Sequence, residues 1–447
     1  MKTLCNKESE ASNIDLFKFA EKTALFERVC DIIVLQDAFR SVKRNGGAAG
    51  IDGTTIQEFE SHLAKELAQL KKEIESWSYV PKPVRRIEIP KPSGGVRLLG
   101  IPTIRDRVVQ AAIKSILEPI LDPTFSESSY GFRPNRNQQQ AVRRAKDIVT
   151  GGREWVIDID LSKFFDRISH DRLIHRLGLL IFDKRVLRLI GMTLRSGIME
   201  KGLLIPSHEG SVQGSPLSPL LSNVVLDELD KELEKRGLPF CRFADDCNIF
   251  AKTQPAAERI MKSVTKFIEG RLKLVVNQEK SKVALSRYVK FLGMTIIAGT
   301  MAISSASMNR ANDTARRLTP RGTNQSIEQT IKRINVWYMG WSAYYMMTEY
   351  PSQLHAIEAH IRRRLRARIV SQQKRKRHLF DKLVKQGVPR GTAAHYSFSN
   401  RKTWAMAITP AMHRAFPNEW FTQRGFKTRS GSKLKHWKYL NEWIKLS

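Results

Sequence analysis

The stretch CRFADDCNIF, residues 241–250, places two adjacent carboxylates, Asp245 and Asp246, between apolar segments typical of β-strands. Strands disfavour Asp, whereas β-turns accept it readily, so an isolated Asp-Asp pair is most often structural. The apolar flanks predict a pair of strands that opens around the two acids. A functional interpretation therefore needs further acids elsewhere in the chain.

A third acid, Asp160, ends the segment WVIDID, residues 155–160. A strand period of two places it on one face with Asp158, which we expect to be a hydrogen-bonded structural acid. Carboxylates that cluster without cations repel each other, and at least one would be protonated at neutral pH. Mg²⁺ prefers such oxygen ligands and completes its shell with water and substrate phosphate. Two such ions can activate a 3′-hydroxyl and stabilise a leaving pyrophosphate, as in a polymerase palm.

The charge balance points to a polyanionic partner. Lys and Arg total 76 against 44 Asp and Glu, which gives a net charge of +32. Nucleic acid is the commonest partner of so basic a chain, although a membrane surface or a ribosome would also fit the charge alone. Four cysteines without CxxC spacing argue against a zinc site or disulfides and favour a reducing compartment. With no signal peptide and no long apolar run, we expect a soluble intracellular protein.

Local patterns predict several elements. Residues 84–102 alternate as a β-hairpin around Ser-Gly-Gly, and Thr103 then caps a helix with Asp106 three residues on. A helix is expected near 219–235, and another over 326–347 whose aromatic stripe should be core. From about residue 300 the chain becomes helical and strongly basic, which predicts a domain boundary between 296 and 325.

Seven motifs in order then resemble a known family. They are IPKPSGGVRLLGIP (89–102), YGFRPNR (130–136), DLSKFFD (160–166), SVQGSPLSPLLSN (211–223), FADD (243–246), LVVNQEKSK (274–282) and FLG (291–293). Together they resemble the group II intron reverse transcriptases, also called maturases, from about residue 35 to beyond 420. Phe243 and Val212 stand where the family usually has Tyr and Pro.

The resemblance implies a right-hand polymerase of the α+β class. Residues 1–300 would form fingers and palm, with the acids at one edge of a small antiparallel palm sheet backed by helices. Residues 301–400 would form a helical thumb, or domain X, and residues 401–447 a basic nucleic-acid-binding extension. Because the chain shows no cysteine-containing endonuclease block, it resembles the bacterial, endonuclease-lacking, class C-like members. That resemblance implies a cytoplasmic protein associated with nucleoid or ribonucleoprotein.

The resemblance also implies roles for individual residues. Asp160, Asp245 and Asp246 would be the catalytic acids and would hold two Mg²⁺ ions, with Mn²⁺ as the alternative metal. Phe165 would be the steric gate that excludes a 2′-hydroxyl, while Phe164 lies in the core. The remaining nucleotide-binding candidates are Lys91 and Arg97 for the triphosphate, Gln213 and Gly214 for the incoming nucleotide, and Lys280, in competition with Lys282, for protonating pyrophosphate.

Nucleic-acid contacts are expected at two basic segments. In YGFRPNR, Arg133 and Arg136 would contact template or primer, with Tyr130 and Phe132 in the core. In the basic run 361–378, Arg362, Arg363 and Arg366 would contact phosphates without reading sequence. The expected partners are an intron RNA template, a DNA primer or target, and deoxynucleoside triphosphates.

Two other functions remain open at this point. One is a free-standing reverse transcriptase of the same type, used in DNA repair or phage defence. The other is an RNA-binding splicing factor whose polymerase site is inactive, which loss of the acids would have favoured.

Overall fold

The computed structural model describes residues 24–90, 96–200, 203–207 and 209–430. These residues divide into two compact units. Unit 1 runs to Ile148 and again from Gly152 to Ala284, and unit 2 comprises Val149–Gly151 and the chain from Leu285 onward. Within the described part of the chain, no helix has both the length and the apolar character required to cross a bilayer.

Unit 1 begins with helices that pack around a long buried helix. The helices are α1 (Leu25–Cys30), α2 (Ile32–Asn45), α3 (Ile56–Ser61), α4 (Leu63–Glu75) and α5 (Ile104–Leu121). A glycine-rich loop, GGAAGIDG at 46–53, lies in the connection between α2 and α3. Helix α5 begins where the sequence predicted, because the Thr103 hydroxyl caps it by accepting from the Asp106 backbone N–H at 3.2 Å. Its apolar residues Val108, Val109 and Ile113 are fully buried.

The first sheet of unit 1 contains the predicted hairpin. Strands β1 (Val84–Pro90) and β2 (Val96–Ile101) pair antiparallel, with Ile89 opposite Arg97. Further along the chain come α6 (Gln138–Thr150), β3 (Trp155–Ile159), α7 (His170–Gly178), α8 (Lys184–Leu194), β4 (Ile198–Glu200) and β5 (Leu203–Ile205). Strand β4 joins β1 in parallel and β5 pairs with β4, so the described strand order is β2–β1–β4–β5.

The second sheet is small and antiparallel at its centre. The elements that follow β5 are α9 (Ser218–Lys235), β6 (Phe240–Phe243), β7 (Asp246–Ala251), α10 (Gln254–Phe267) and β8 (Lys282–Leu285). The strand order is β6–β7–β3–β8, and β7 is antiparallel to both neighbours. Ile157, Ile159 and Ile249 are buried in the same apolar core as residues of α9 and α10. The expected palm-like sheet backed by helices is therefore present.

The described residues of unit 2, up to residue 430, form one hairpin and a set of helices. Its strands are β9 (Met294–Ile297) and β10 (Thr300–Ile303), and its helices are α11 (Ser305–Leu318), α12 (Ile327–Tyr345), α13 (Pro351–Ser371), α14 (Lys376–Lys385), α15 (Arg390–Ser397), α16 (Thr403–Met406), α17 (Pro410–Ala415) and α18 (Asn418–Gln423). The predicted stripe on α12 is core for Ile331, Ile334 and Tyr338, all of which are fully buried.

The division between the units lies at Ala284 and Leu285, before the expected boundary region at 296–325. Hairpin β9–β10 therefore belongs with the helices that follow it. Residues 403–430 are likewise part of unit 2, since α16 packs on α13. The extension expected over 401–447 includes residues 431–447, which lie outside the described residues, so that domain stays a prediction.

Candidate active site

A two-residue turn carries the first of the predicted acids. Phe243 pairs with Asp246 at the end of hairpin β6–β7, so Ala244 and Asp245 form the connection between the strands. Ala244 has a φ of +56°, the left-handed region that a non-glycine residue enters only at a cost. Asp245 is half-buried and Asp246 is exposed. The adjacent acids therefore sit at a turn, as a strand pair opening around them predicts.

Strand β3 brings Asp160 to the same end of the sheet. Ile159 lies opposite Cys247, so the same register continued by one residue places Asp160 opposite Asp246. Asp160 is fixed by its backbone, because its N–H donates to the Ser281 hydroxyl at 3.0 Å and its carbonyl accepts from the Asn277 N–H at 2.8 Å. Residues far apart along the chain thus place their carboxylates at one end of two neighbouring strands.

Burial raises the pKa of Asp245, and the negative charge of Asp160 raises it further. The Asp245 backbone N–H and the positive charges of Arg97 and Arg242 lower that pKa. The two carboxylates are therefore close enough that the charge of Asp160 disfavours ionisation of Asp245. A cation between them would relieve the repulsion and favour the ionised form of both acids.

The donor set fits a divalent cation that shares its ligands with a substrate. Among the described residues, no group of three or more His, Cys, Asp or Glu side chains is arranged to hold a metal ion by itself. Asp160 and Asp245 supply hard oxygen ligands, and the Asp160 side chain is 36% exposed and open to ligands from outside the protein. Mg²⁺ is commonly held by one or two carboxylates, with water and phosphate completing its shell. The two acids therefore fit Mg²⁺ together with a phosphate-bearing substrate.

Basic groups flank the two carboxylates. The Lys280 Nζ lies 4.0 Å from the Asp160 Oδ2, and the Lys280 side chain is 65% exposed. Arg97 is exposed on β2 and close enough to Asp245 to lower its pKa. Lys91 lies outside the described residues, so its predicted role in the same hairpin stays a prediction.

The two phenylalanines of DLSKFFD have different environments. Phe164 is buried with 3% exposure, as expected, whereas Phe165 is half-buried and packs edge-on against it with ring centroids 5.2 Å apart. The Phe165 carbonyl accepts from the Ser211 N–H at 2.7 Å, which ties the predicted gate to the loop that contains Gln213. Phe165 is thus backed by a core ring and presents its remaining surface outward.

The loop with Gln213 and Gly214 is fastened to β2. The Gly100 N–H donates to the Gln213 carbonyl at 2.9 Å. Gly214 has a φ of +118°, and a Cβ there would lie 2.6 Å from the Gly100 carbonyl oxygen. Position 214 therefore requires glycine for both its conformation and the close approach of the two backbones.

Phe165, Gln213 and Gly214 line a cleft of about 850 Å³ within unit 1. Its other walls come from α2, the 46–48 loop, β2 and α5, and neither Asp160 nor Asp245 is among the lining residues. Phe132 also lines it and is 45% exposed, so the expectation that Phe132 is core packing is wrong. Phe132 has a φ of +58°, which no sequence pattern indicated.

The two arginines of YGFRPNR are engaged within the protein. Arg133 is 8% exposed, and its guanidinium donates to Asp122 Oδ1 at 2.7 Å and to the carbonyls of Ser126, Ser129 and Asp122. Arg136 pairs with Glu127 and lies over the ring of Tyr130. Because the Arg133 donors are already used, the structure does not support the predicted contact of Arg133 with template or primer. Arg136 forms an ion pair with Glu127, and its predicted contact with template or primer stays a prediction.

The three arginines predicted on α13 are also internal contacts. Arg362 is 5% exposed beside Glu358, and the Nε of the 3%-exposed Arg366 donates to the Phe416 carbonyl at 2.8 Å. Arg363 donates to the Trp404 carbonyl and lies 4.0 Å from the centroid of its ring. Arg363 and Arg366 hold residues 404–418 against α13, whereas Arg362 pairs within the helix. The burial of Arg362 and Arg366 does not support phosphate contact by these two side chains, and the predicted contact of the half-buried Arg363 stays a prediction. Exposed cations of this basic run follow α13 and include Lys374, Arg375 and Arg377.

Comparisons with known proteins agree with these motifs. Residues 89–296 match the model of the reverse transcriptase (RNA-dependent DNA polymerase) family. Residues 308–387 match the model of the group II intron maturase-specific domain. The second match lies within unit 2.

Individual relatives cover part of the chain. Protein YkfC of Escherichia coli (strain K12) is 35% identical over 289 residues, which cover 56% of this chain and 76% of that protein. The group II intron-encoded protein LtrA of Lactococcus lactis subsp. cremoris is 35% identical over 251 residues, which cover 56% of this chain and 40% of that protein. A chain in the solved structure of a partial Cas6-RT-Cas1--Cas2 complex is 28% identical with a TM-score of 0.36, covering 55% of this chain and 42% of that one.

Replacing Asp245 by Asn should raise the thermal stability of the protein at neutral pH. The raised pKa of Asp245 means that its ionised form is disfavoured in the folded state, and the amide removes both the charge and its repulsion with Asp160. Below the ordinary carboxyl pKa, roughly 3.9, both folded and unfolded Asp245 are protonated, so the gain should vanish. Melting curves at neutral and acid pH measure this, and a lower melting temperature for Asp245→Asn at neutral pH would contradict it.

Proposed function

Because the chain belongs to the family of reverse transcriptases encoded by group II introns, we propose that it extends a DNA primer on an RNA template. Deoxynucleoside triphosphates are the proposed substrates, and intron RNA is the proposed partner in splicing and retrohoming. The observation that supports this most directly is the convergence of Asp160 and Asp245. The reverse transcriptase match and the carboxylate pair point to the same chemistry.

Asp160 and Asp245 are the proposed ligands of the divalent metal, with the exposed Asp246 beside them. Bound Mg²⁺, as two ions, or Mn²⁺ would supply charge stabilisation for the attacking 3′-oxygen and the leaving pyrophosphate. The backbone contacts of Asp160 with Ser281 and Asn277 hold its carboxylate in place before substrate arrives. Fixed ligands need little rearrangement in the reaction, which is how a preorganised site lowers a barrier.

The basic side chains around the acids have complementary proposed roles. Arg97 lies on the sheet next to the acids and can grip a triphosphate with its planar fork. Lys91, the residue that follows β1 in the sequence, would add a point charge. Lys280 stands 4.0 Å from Asp160 and is exposed, so it can reach a leaving pyrophosphate and donate a proton to it.

Phe165 is the proposed sugar gate. Its ring rests on the buried Phe164, so it cannot retreat from a 2′-hydroxyl without disturbing the core. The cleft beside it, with Gln213, Gly214 and Phe132 on its walls, is large enough for a base and its template partner. Aromatic surfaces such as the exposed Phe132 ring suit stacking on unpaired bases.

The charge of +32 supports the proposed binding of RNA, which would place the protein in a ribonucleoprotein particle or at the nucleoid. In unit 2 the exposed Lys374, Arg375 and Arg377 are the proposed phosphate contacts, in place of the buried arginines of α13. The match to the maturase-specific domain supports a role in splicing. It also favours the intron-encoded protein over a free-standing enzyme of repair or defence.

Alanine at Asp160 or at Asp245 should abolish primer extension on an RNA template. Loss of metal-derived stabilisation of several kcal/mol corresponds to roughly a thousandfold slower extension. Incorporation of deoxynucleotides with Mg²⁺ measures this, and Asp147→Ala, an exposed acid of α6, is the matched control. Retained extension by either site variant, with the control intact, would remove these residues from the proposed site.

Replacing Phe165 by Val should let the enzyme use ribonucleotides. Removing the ring opens space for a 2′-hydroxyl, and the discrimination lost should be about 10- to 100-fold in the ratio of kcat/KM values. Steady-state incorporation of matched deoxy- and ribonucleotides gives the ratio, with Phe182→Val at an exposed position as the control. Unchanged sugar selectivity would mean that the gate lies elsewhere.

Splicing of the cognate intron at low magnesium should survive Asp245→Ala but not Lys374→Glu with Arg377→Glu. The acid serves polymerisation, whereas the exposed cations contact RNA phosphates through charge. Splicing is measured with and without each variant, and added salt should weaken the wild-type effect. A requirement for Asp245 in splicing would show that the two activities share one site.

A further inference from the structure

Arg242 and Asp230 form an ion pair that is completely inside unit 1. Both side chains are 0% exposed, and the proposed chemistry uses neither. Asp230 lies on α9 and Arg242 on β6, two residues before the turn that carries Asp245. A fully buried pair at this location needs an explanation beyond stability, because an apolar pair of similar volume is often equally stable or more so.

The guanidinium of Arg242 joins three groups. Its Nε and Nη2 donate to the two carboxylate oxygens of Asp230 at 2.7 and 2.5 Å. Its Nη1 donates to the Asn223 Oδ1 at 3.0 Å and to the Ala244 carbonyl at 2.9 Å. Because Asp230 binds the planar guanidinium bidentately, the direction of Nη1, which donates to the Ala244 carbonyl in the turn, is fixed.

The 126–136 loop holds the turn on its other side. The Arg242 N–H donates to the Ser128 carbonyl at 2.9 Å, and the Tyr130 N–H donates to the Arg242 carbonyl at 2.8 Å. The Asn223 Nδ2 donates to the Gly131 carbonyl at 2.9 Å. A Cβ at Gly131 would lie 2.1 Å from the Ala244 nitrogen, so the loop backbone touches the turn.

The turn needs such support because of its own conformation. Ala244 has a positive φ, and the following residue, Asp245, is exposed to repulsion from Asp160. Both effects favour a shift of the turn away from its present position. The bond from Arg242 to the Ala244 carbonyl opposes that shift from within the core.

We propose that Arg242, held by Asp230 and Asn223, is a positioning residue that fixes the Ala244–Asp245 turn and thereby directs the Asp245 carboxylate toward Asp160. This role rests on the proposed polymerase function. It predicts that loss of the fork slows the chemical step without weakening substrate binding, because small misplacement of a catalytic group acts on the transition state.

The test uses variants that remove the fork without leaving an unpaired buried charge. The paired variant Asp230→Leu with Arg242→Met replaces both charges by apolar side chains. Arg242→Lys keeps the charge opposite Asp230 but cannot hold Asp230, Asn223 and Ala244 together. The matched control is Asp227→Leu with Arg176→Met, which removes another ion pair of α9, 3.0 Å long, that has no bond to the turn.

The measurements are kcat and KM for deoxynucleotides, the Kd for the primer–template duplex and the melting temperature. Amide exchange of peptides that cover residues 240–250 reports on the turn directly. We expect kcat to fall about a hundredfold in both Arg242 variants, with KM and Kd unchanged. Exchange at the turn should be faster, and the control should keep wild-type kcat and exchange.

Two results would overturn the proposal. One is a folded paired variant with wild-type kcat. The other is a loss of activity that follows the melting temperature equally in the paired variant and in the control, since that is a general effect on stability.

Failure of the proposed function is a separate outcome. If the wild-type chain does not extend primers, the polymerase assignment fails. Amide exchange alone then tests whether Arg242 holds the Ala244–Asp245 turn. Unchanged exchange at residues 240–250 in the paired variant would show that Arg242 does not hold the turn.

Discussion

The repulsion between Asp160 and Asp245 is the constraint on which the site is built. The interaction raises the pKa of Asp245 above its ordinary value, in addition to the effect of its burial. The protein holds the two carboxylates together through backbone structure, with β3 and β7 paired in register and with Ser281 and Asn277 bound to the Asp160 backbone. Such an arrangement stores unfavourable energy that a bound cation and substrate phosphate would relieve, which is a common feature of functional sites.

The rest of unit 1 serves to keep these strands in place. Apolar side chains of β3 and β7 pack into the same core as α9 and α10. The loop at 211–216 is hydrogen-bonded to β2 and to the segment that contains Phe165, so Phe165, this loop and hairpin β1–β2 form one connected structure. The cleft beside Phe165 is a consequence of these backbone contacts, together with the glycines at 100 and 214 that permit them.

Arginine has two distinct uses in this chain. Arg133, Arg242 and Arg366 are buried and donate hydrogen bonds to protein oxygens, and the buried Arg362 forms an ion pair with Glu358. Arg97 and the cations that follow α13 are exposed and remain available to phosphate. The planar guanidinium group can donate to several acceptors at once. Arginine can therefore link segments inside a core as well as bind the phosphates of nucleic acid. Net charge alone therefore overstates the number of side chains that can contact RNA.

The sequence by itself determined the elements and the identity of the acids. The hairpin at 84–101, the Thr103 cap, the strand before Asp160 and the turn at Asp245 follow from local alternation, capping and turn chemistry, which depend on near neighbours. The core position of Phe164 against the outward face of Phe165 was also anticipated.

Only the tertiary structure decided which cations are free and which aromatic ring faces a cleft. Arg133 and Arg366 look like surface residues in the sequence, but their acceptors come from carbonyls brought near by packing. Phe132 reads as core, yet a left-handed backbone turns it toward the cleft. The bond from Arg242 to Ala244, and the pairing of Arg242 with Asp230, likewise depend on distances between elements. Local sequence pattern carries no such information, because burial and hydrogen-bond partners are properties of the folded chain.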